Sequence, residues 1–523
     1  MSAAQFSVMD GHWVIPFVPY NAFGGGASVG PEPFLIKPPL GIWFQMFSME
    51  TFGTSVLAGR LPSAVFALLT AIVTYYIGRL VYSRETGFIA AIVFLTTRIV
   101  LHGSHGGRAA ALDTQMVFFG TVMVGAILWG LKSEKLQHIL FSVAGISLSA
   151  AILTKGFGAG IYPLIVLPLA VVHWRTIFTR AGVYGLIATF TPAFLWFALA
   201  TVSNPSVLVD MFNEQVVNRV SGSKATYSAT FEFMKAPYFR KAPDVLDPWF
   251  YAMLPSLGAV PLGIYSKQGR STLATHTLFL CWWALSVFAF FTVTGNHLWY
   301  IMPAVIPLGI LCGILIDRGL RPSPEAAGLV VGVYLICMRS DMIGDGIQLI
   351  TRGAVSPTPP ARFVLATSAV AILLGIIYRR QWMRKTLRTN LLRRVKPTTV
   401  KRLFAISMII LLILQVPVME MGHNNQEQVG KQVQTGTPAN ATIHLYPSNQ
   451  GPIYSFVFAS ERVFDEATAR ELNNNTSIQY ALVDKSKVSD ISRPHQRIGE
   501  LTSYRQSSVI VSFNSSESVQ ESG

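Results

Sequence analysis

Four cations, one carboxylate and two ring side chains stand at the ends of long apolar runs in this sequence. Lys and Arg bind anions through charge-assisted hydrogen bonds, and phosphate suits them because it offers several acceptor oxygens. A carboxylate beside such cations can pair with one of them or act as the base for an attacking hydroxyl. These residue types therefore indicate chemistry at a phosphate group. The residues are Lys37, Arg60, Arg108, Asp113, Lys155, His297 and Tyr300.

The composition places these side chains in a membrane protein. Of 523 residues, 51% are hydrophobic and 13% are charged, whereas about 25% of residues are charged in an ordinary soluble domain. Many apolar runs reach about 20 residues, the length that crosses about 30 Å of hydrocarbon. The net charge of +15 does not indicate a nucleic-acid partner, because the basic residues lie in short loops between apolar runs, as the positive-inside rule predicts.

The apolar runs predict an all-α polytopic membrane protein with about twelve transmembrane helices. Residues 40–53 form a shorter apolar piece, which we expect to lie in the membrane interface. The predicted spans are 58–82, 87–102, 114–131, 136–153, 158–174, 182–203, 249–265, 272–293, 297–316, 326–338, 361–378 and 403–419.

The loops between the spans form a basic set and a less basic set that alternate along the chain. The basic set ends in the connector 379–402, which has the densest run of Lys and Arg. Because cytoplasmic loops carry the excess of Lys and Arg, we predict a multi-pass protein of the cell (plasma) membrane whose active site faces the periplasmic or external side. The external segments are 1–40, 103–113, 154–157, 204–248, 294–296, 339–360 and all residues after 420.

Residues 421–523 are polar and contain no further apolar span. Short β-type runs at Thr442–Tyr446, Tyr480–Val483 and Val509–Phe513 alternate with helix-compatible stretches, a pattern typical of a small α/β domain. We therefore predict a transmembrane domain over residues 1–420 and a small external C-terminal α/β domain over residues 421–523.

The external cations invite two interpretations. Lys and Arg near span ends often do no more than extend their charge to water, so each residue alone carries little weight. Together, however, they concentrate positive charge on the external side, against the general bias of membrane proteins. The anion natural to a membrane interface is a lipid phosphate, and we predict that the cluster binds one.

Short motifs along residues 11–303 resemble, in the same order, those of the dolichyl-phosphate-mannose–protein mannosyltransferase-related family (glycosyltransferase family 39), which includes the lipid A aminoarabinose transferases. No single motif is very specific, but their order and spacing are. The motifs are Gly11-His12-Trp13-Val14-Ile15-Pro16, Ile36-Lys37-Pro38-Pro39-Leu40-Gly41-Ile42-Trp43, Ala58-Gly59-Arg60-Leu61-Pro62-Ser63-Ala64, Arg108 with Asp113, Leu153-Thr154-Lys155-Gly156, Pro248-Trp249-Phe250-Tyr251, and His297 with Tyr300-Ile301-Met302-Pro303.

The resemblance implies a fold of the GT-C type and a polyprenyl-phosphate-linked sugar as the donor, with inverting displacement at the anomeric carbon. It assigns donor-phosphate binding to Lys37, Arg60, Arg108 and Lys155. It also places His297 and Tyr300 in the substrate pocket. Asp113 matches an acidic position of the family and is the carboxylate to which it assigns a catalytic role, orienting the acceptor or pairing with a cation such as Arg108.

Three departures from the family pattern bear on a metal ion and on the base. The acidic pair of the family's first external loop is absent. Ile36 stands where the aminoarabinose branch has a Glu that helps to hold a metal, and Val245 stands near the place of a family His. We therefore predict no metal site and assign no cofactor, while a divalent metal is left as an alternative.

The resulting hypothesis is an integral-membrane glycosyltransferase that uses a polyprenyl-phosphate-linked sugar and a glycolipid, glycan or protein acceptor, in contact with membrane lipid and with no nucleic acid. Two alternatives stay open. One is a transporter or flippase for a lipid-linked sugar, although the internal repeat that many transporters have is not apparent. The other is a catalytically inactive relative that lacks the first acidic pair.

The beginning of the chain carries a further expectation. Residues 1–40 are assigned to the external side, and the family's first span and acidic pair would fall a few residues before Met1. We expect the upstream reading frame to encode about 20 apolar residues followed by that acidic pair.

Overall fold

The computed structural model describes residues 13–18, 32–33, 37–101, 105–213, 237–268, 271–294, 297–320, 324–340, 359–386, 438, 441–446, 463–466, 468–502 and 507–513. The chain divides into two compact units. The larger unit comprises Ile36–Gly41 and Pro62–Gln415, and the smaller unit comprises Met1–Leu35, Ile42–Leu61 and Val416–Gly523.

Helices account for most of the described residues, and 3₁₀ turns at 134–136, 156–160, 298–301 and 485–490 accompany them. In chain order the helices are α1 (Leu40–Phe52), α2 (Val56–Val81), α3 (Arg84–Thr96), α4 (Arg98–Leu101), α5 (Asp113–Gly130), α6 (Gln137–Lys155), α7 (Ile161–Val172), α8 (Trp174–Ile177), α9 (Arg180–Ser203), α10 (Val207–Phe212), α11 (Pro237–Val245), α12 (Phe250–Gln268), α13 (Thr272–Thr294), α14 (Met302–Gly319), α15 (Pro324–Arg339), α16 (Pro359–Thr386) and α17 (Ala469–Asn474).

Six helical stretches among the described residues are long and apolar enough to cross a membrane. The predicted helical membrane architecture is confirmed at this level, and the number of about twelve spans stays a prediction. The six stretches are Leu57–Val81, Asp113–Gly130, Glu134–Val172, Arg180–Ser203, Thr272–Thr292 and Leu298–Gly319.

The predicted spans coincide with helices wherever the structure describes them, and the span 403–419 lies outside the described residues. The run 87–102 differs, because it is divided between α3 and α4. Thr97 has an extended backbone with φ −72° and ψ 131°, and its hydroxyl donates to the Val93 carbonyl at 2.6 Å. Such side-chain bonds to the backbone compete with helical hydrogen bonding, which a hydropathy pattern does not register.

Helix α14 lies at the centre of the larger unit. Its most apolar stretch is 94% buried, whereas that of α9 is 22% buried, as expected for a helix that faces lipid. Helix α14 packs against α3, α12, α13 and α15. A Cβ at Gly313 would lie 2.7 Å from the Thr86 carbonyl oxygen of α3, so the glycine permits a close approach of the two backbones.

The C-terminal residues of the smaller unit form a five-stranded sheet in the order β4-β3-β5-β7-β6. Strand β3 is parallel to β4 and β5, whereas β7 is antiparallel to β5 and β6. Residues such as Leu472, Ala481 and Val511 form its core. The strands are β3 (Thr442–Tyr446), β4 (Val463–Glu466), β5 (Tyr480–Asp484), β6 (Gln496–Thr502) and β7 (Ser507–Ser512); a two-stranded pairing of β1 (Phe17–Val18) and β2 (Glu32–Pro33) precedes them.

The three predicted β-type runs coincide with β3, β5 and β7, which are the inner strands of this sheet. Strands β4 and β6 were not predicted. Both lie at the sheet edges, where short strands and charged side chains discourage pairing with another chain, and their sequences are accordingly short or polar. The boundary at residue 420 and the external position of this domain stay predictions.

Candidate functional site

A buried ion pair joins the ends of two helices of the larger unit. The Lys155 ammonium, in the last turn of α6, donates to Oδ1 of Asp113, in the first turn of α5. The side chains of Lys155 and Asp113 are 6% and 3% exposed. The Lys155 nitrogen also lies 4.9 Å from the centre of the Tyr300 ring, a favourable position for a cation over an aromatic face. The lysine is therefore held by a carboxylate and by a ring.

The local sequence explains why these charges occupy helix ends. A carboxylate is favoured at a helix N-terminus and a cation at a C-terminus, because each offsets the partial charge of the helix dipole. Helix α6 ends where Gly156 adopts a φ of 60°, a conformation that glycine adopts readily. Helix termination at Gly156 thus leaves Lys155 at the end of the helix, opposite the beginning of α5.

The segment of Lys37 is placed by close packing against the same two helices. Pro38 and Pro39 are buried. A Cβ at Gly41 would lie 2.7 Å from the side chains of Gln115 and Leu112 and 3.2 Å from that of Thr154. A larger residue than glycine would push this segment away from α5 and α6. The sequence motifs around Lys37, Asp113 and Lys155 are therefore brought together, as the chemistry of their side chains suggested.

Lys37 and Lys155 line one open cleft of about 310 Å³, a volume that includes space open to solvent. Its other walls are apolar or aromatic. Two cations beside an apolar wall suit an amphipathic anion, because the charges bind the anionic group and the wall accepts an attached hydrocarbon. The remaining lining residues are Met116, Phe157, Gly158, Phe290, Phe291 and Tyr300.

Three rings beyond the ion pair form a stack. The indole of Trp299 is nearly parallel to the imidazole of His105, with 3.8 Å between the ring centres. It is also nearly parallel to the imidazole of His297, at 4.5 Å. Tyr300 meets His297 edge to face at 5.3 Å. Of the two predicted pocket residues, Tyr300 lines the cleft, whereas His297 is exposed and contacts Tyr300.

His105 is a site residue that the sequence analysis did not single out. Burial lowers the pKa of His105 to about 4; the charge of Asp113 acts in the opposite direction, and those of Lys155, His297 and Lys37 act in the same direction as burial. The imidazole is therefore neutral at neutral pH. The available signal was its position in the external loop 103–113, ahead of Arg108 and Asp113.

The other two predicted phosphate ligands, Arg60 and Arg108, take no part in the ion pair of Lys155 and Asp113. Arg108 is exposed on the loop before α5, and Lys155 occupies the place beside Asp113 that the sequence suggested for Arg108. Arg108 was one example of a cation for Asp113, and the cation that pairs with Asp113 comes from the end of α6, which is distant in sequence. Arg60 is half-buried on α2 in the smaller unit. Phosphate binding by Arg60 and Arg108 stays a prediction.

The beginning of α5 also contains buried polar atoms without hydrogen-bond partners in the described structure. They are Oγ1 of Thr114 and both amide atoms of Gln115. The Tyr162 hydroxyl of α7 is similarly buried and unpartnered. Buried polar groups are normally satisfied by protein or by ordered water, so this region can both donate hydrogen bonds to water or a substrate and accept hydrogen bonds from them. Within the described ranges, no three His, Cys, Asp or Glu side chains converge as a metal-ion site would require.

Comparison with known proteins supports the relation expected from the motifs. Residues 36–198 match the sequence model of the family described as dolichyl-phosphate-mannose-protein mannosyltransferase. The predicted resemblance to this family is confirmed.

Curated relatives include two bacterial transferases. The chain is 25% identical over 311 residues to the undecaprenyl phosphate-alpha-4-amino-4-deoxy-L-arabinose arabinosyl transferase 2 of Proteus mirabilis, covering 58% of this chain and 52% of the relative. It is 26% identical over 346 residues to the corresponding transferase of Aeromonas hydrophila, covering 63% and 58%. The chain thus spans a little over half the length of the curated relatives it matches.

The fold is that of a solved membrane transferase. The crystal structure of ArnT from Cupriavidus metallidurans bound to undecaprenyl phosphate superposes with a TM-score of 0.66 at 16% identity, covering 98% of this chain and 93% of that chain. The apo state of the same protein gives a TM-score of 0.65. This likeness establishes the GT-C fold predicted from the sequence.

Proposed function

We propose that this relative of the dolichyl-phosphate-mannose–protein mannosyltransferases is an integral-membrane glycosyltransferase. It moves a sugar from a polyprenyl-phosphate donor to a glycolipid, glycan or protein acceptor of the cell envelope. The observation that carries the proposal is the cleft in which Lys37 and Lys155 stand beside apolar walls. A polyprenyl phosphate suits such a cleft, because its phosphate can bind to the lysines and its hydrocarbon can pack against the apolar walls.

The reaction is a displacement at the anomeric carbon of the donor sugar. An acceptor oxygen forms a bond to this carbon while the bond from the carbon to the phosphate oxygen breaks, with inversion. The bonding electrons leave with the lipid phosphate, which gains negative charge in the transition state. Lys37 and Lys155 offset that charge, and preorganised charges of this kind commonly supply the largest catalytic term.

Asp113 enters this reaction through Lys155. Its carboxylate accepts from the lysine ammonium, which keeps the ammonium in the cleft. A phosphate acceptor would already be an anion and needs no base, whereas a hydroxyl acceptor needs a carboxylate to take its proton. We assign Asp113 to the catalytic site because it holds the Lys155 ammonium. When the acceptor is a hydroxyl, Asp113 also acts as the base that takes its proton.

The substrate pocket extends from the cleft to the aromatic residues of the 3₁₀ turn 298–301. Tyr300 lines the cleft and supports Lys155. His297 contacts both Trp299 and Tyr300. Flat rings beside the phosphate site offer surfaces on which the apolar face of a sugar packs, so His297 and Tyr300 are assigned to the sugar.

The positions of the helix ends support an external site. Helix α5 begins at Asp113 and α6 ends at Lys155, in segments that the alternation of basic loops assigns to the external side. We place the protein in the cell membrane with about twelve spans. The cleft and the C-terminal α/β domain then face the periplasm or the exterior.

Mass spectrometry of envelope lipids and glycans tests the proposal. Cells that produce the protein should contain a species heavier by one sugar residue, which is absent without the protein and strongly reduced with Lys155→Ala. Lys132→Ala is a matched control, because Lys132 donates to the Leu80 carbonyl at 3.0 Å near the opposite end of α5. An envelope composition unchanged by the protein, or a product formed in the wild-type amount with Lys155→Ala, would argue against it.

A further inference from the structure

The geometry of the ring stack places Trp299 between two histidines. The indole makes angles of 6° and 7° with the planes of His105 and His297, at 3.8 and 4.5 Å. Two imidazoles so close to one indole centre, and parallel to it, have no room side by side on the same face. His105 and His297 therefore cover opposite faces of Trp299.

The stack joins two segments that are far apart in sequence. His105 lies in the loop between α4 and α5, eight residues before Asp113. Trp299 immediately precedes Tyr300 in the 3₁₀ turn that leads into α14. The loop is fixed to α4 through Gly107, whose amide donates to the Val100 carbonyl at 2.7 Å. The stacking of His105 on Trp299 connects this loop to the 3₁₀ turn.

Each joined segment supplies one partner of Lys155. Asp113 follows the loop and accepts from the lysine ammonium. Tyr300 presents its ring to the same ammonium at 4.9 Å. A shift between the two segments would draw one partner away from the lysine.

We infer that His105 is a positioning residue, which clasps the two segments through Trp299 and thereby holds Asp113 and Tyr300 on Lys155. The inference about Lys155 stands on the geometry alone, and its consequence for sugar transfer rests on the proposed function.

The electrostatic surroundings explain why a histidine suits this position. The ionisable groups that act on His105 are Asp113, Lys155, His297 and Lys37. Burial and the charges of Lys155, His297 and Lys37 disfavour a positive charge on His105. A neutral ring stacks on the indole without repelling the cations of the cleft, and stacked aromatic pairs are stabilising beyond the area they bury. A phenyl ring at position 105 should therefore preserve the stacking on Trp299, whereas a small side chain should lose it.

The accessibility of Lys155 to an acetylating reagent tests the clasp. The purified full chain is treated with an acetyl N-hydroxysuccinimide ester, and the acetylation rate of Lys155 is measured by mass spectrometry relative to the exposed Lys135. We expect slow acetylation in the wild type, a rise of roughly threefold to tenfold with His105→Ala, and a rate near the wild type with His105→Phe. His138→Ala is the matched control, because His138 contacts the Tyr184 ring at 5.6 Å near the other end of α6.

A second variant keeps the test decisive if His105→Ala unfolds. Trp299→Ala removes the same clasp from the other side and should raise the acetylation of Lys155 to a similar extent. The double variant should add little, since both changes remove one interaction. An unchanged rate in both single variants, or an equal rise with His105→Phe and His105→Ala, would overturn the inference.

The consequence for catalysis is measured separately with a polyprenyl-phosphate-linked sugar. His105→Ala should raise the KM for this donor more than it lowers kcat, and His105→Phe should restore the KM. If the wild type transfers no sugar while acetylation follows the expected pattern, the proposed function fails and the clasp stands. If transfer occurs but acetylation does not respond to His105, the clasp fails and the function stands.

Discussion

The Lys155 ammonium and the Asp113 carboxylate form a hydrogen-bonded ion pair between the end of α6 and the beginning of α5. Both side chains are nearly buried. Taking either charge out of water is costly unless the other is present, so the pair acts as one unit. The pair therefore links the stability of the helix ends to the position of the cation in the cleft.

Removal of one member of this pair should destabilise the fold more than removal of both. Asp113→Asn leaves the lysine charge without its partner and should cost about 3–5 kcal/mol of unfolding free energy. Lys155→Met should have a comparable effect, whereas the double variant should lie nearer to the wild type than either single variant. Thermal unfolding in detergent measures this order. Losses that simply add would show that the two charges are not coupled.

Loss of either cleft lysine should slow sugar transfer without preventing membrane insertion. Lys37→Ala and Lys155→Ala should each remove about 2–4 kcal/mol of transition-state stabilisation, a fall in kcat/KM of roughly 30-fold to 1,000-fold. Lys132→Ala should keep the wild-type rate. Full activity in both cleft variants would mean that the lysines only extend their charge to water.

The stability of the protein should fall in mild acid because of His105. The usual pKa of 6.5 is lowered to about 4 in the folded protein, so between these values the unfolded chain binds more protons than the folded one. Stability from this group is therefore complete above pH 6.5 and declines as the pH falls toward 4. The thermal unfolding midpoint of His105→Phe should decrease less than that of the wild type between pH 7.5 and pH 5. Parallel pH profiles would contradict the assignment.

Two helix glycines should respond differently to alanine. A Cβ at Gly120 of α5 would lie 1.8 Å from the Tyr162 ring, whereas a Cβ at Gly258 of α12 has no described neighbour within 4 Å. Gly120→Ala forces α5 and α7 apart and should cost about 1–3 kcal/mol. Gly258→Ala should leave stability unchanged or raise it by up to about 1 kcal/mol. Thermal unfolding of the two variants compares them, and equal effects would rule out close packing at Gly120.

The orientation in the membrane is a separate prediction. A reporter fused after residue 430 should behave as periplasmic or luminal, because the basic connector 379–402 precedes one further predicted span. A reporter fused within the connector is the matched control and should behave as cytoplasmic. The reverse result would place the cleft on the cytoplasmic side.

The sequence predicted the fold where physical patterns are simple. Apolar runs located the helices, and inner strands such as β5 were recognisable because both faces are covered. The edge strands β4 and β6 escaped because edge strands are commonly short or charged, which discourages pairing with another chain and weakens the apolar pattern. The break at Thr97 escaped because it interrupts a run that hydropathy alone reads as one apolar span.

The site was predictable in its members and less so in its pairings. Lys37, Asp113 and Lys155 were identified from charge at span ends and from their motifs; Asp113 pairs with Lys155, and Lys37 and Lys155 line one cleft. Asp113 was expected to orient the acceptor or to pair with a cation such as Arg108, its neighbour in sequence; the cation that pairs with it is Lys155, which the path of α6 brings there. His105 was missed because its stacking on Trp299 depends on the course of a loop.

Sugar transfer by the purified protein tests the central claim most directly. The full chain is incubated with an envelope extract and a panel of undecaprenyl-phosphate-linked hexose, pentose and aminopentose donors, and both products are quantified by mass spectrometry. The account predicts that one donor releases undecaprenyl phosphate in an amount equal to the glycosylated product, and that Lys155→Ala slows the formation of both by roughly 30-fold to 1,000-fold. Donors that stay intact throughout, or that cross the membrane without cleavage in vesicles containing the protein, would contradict it.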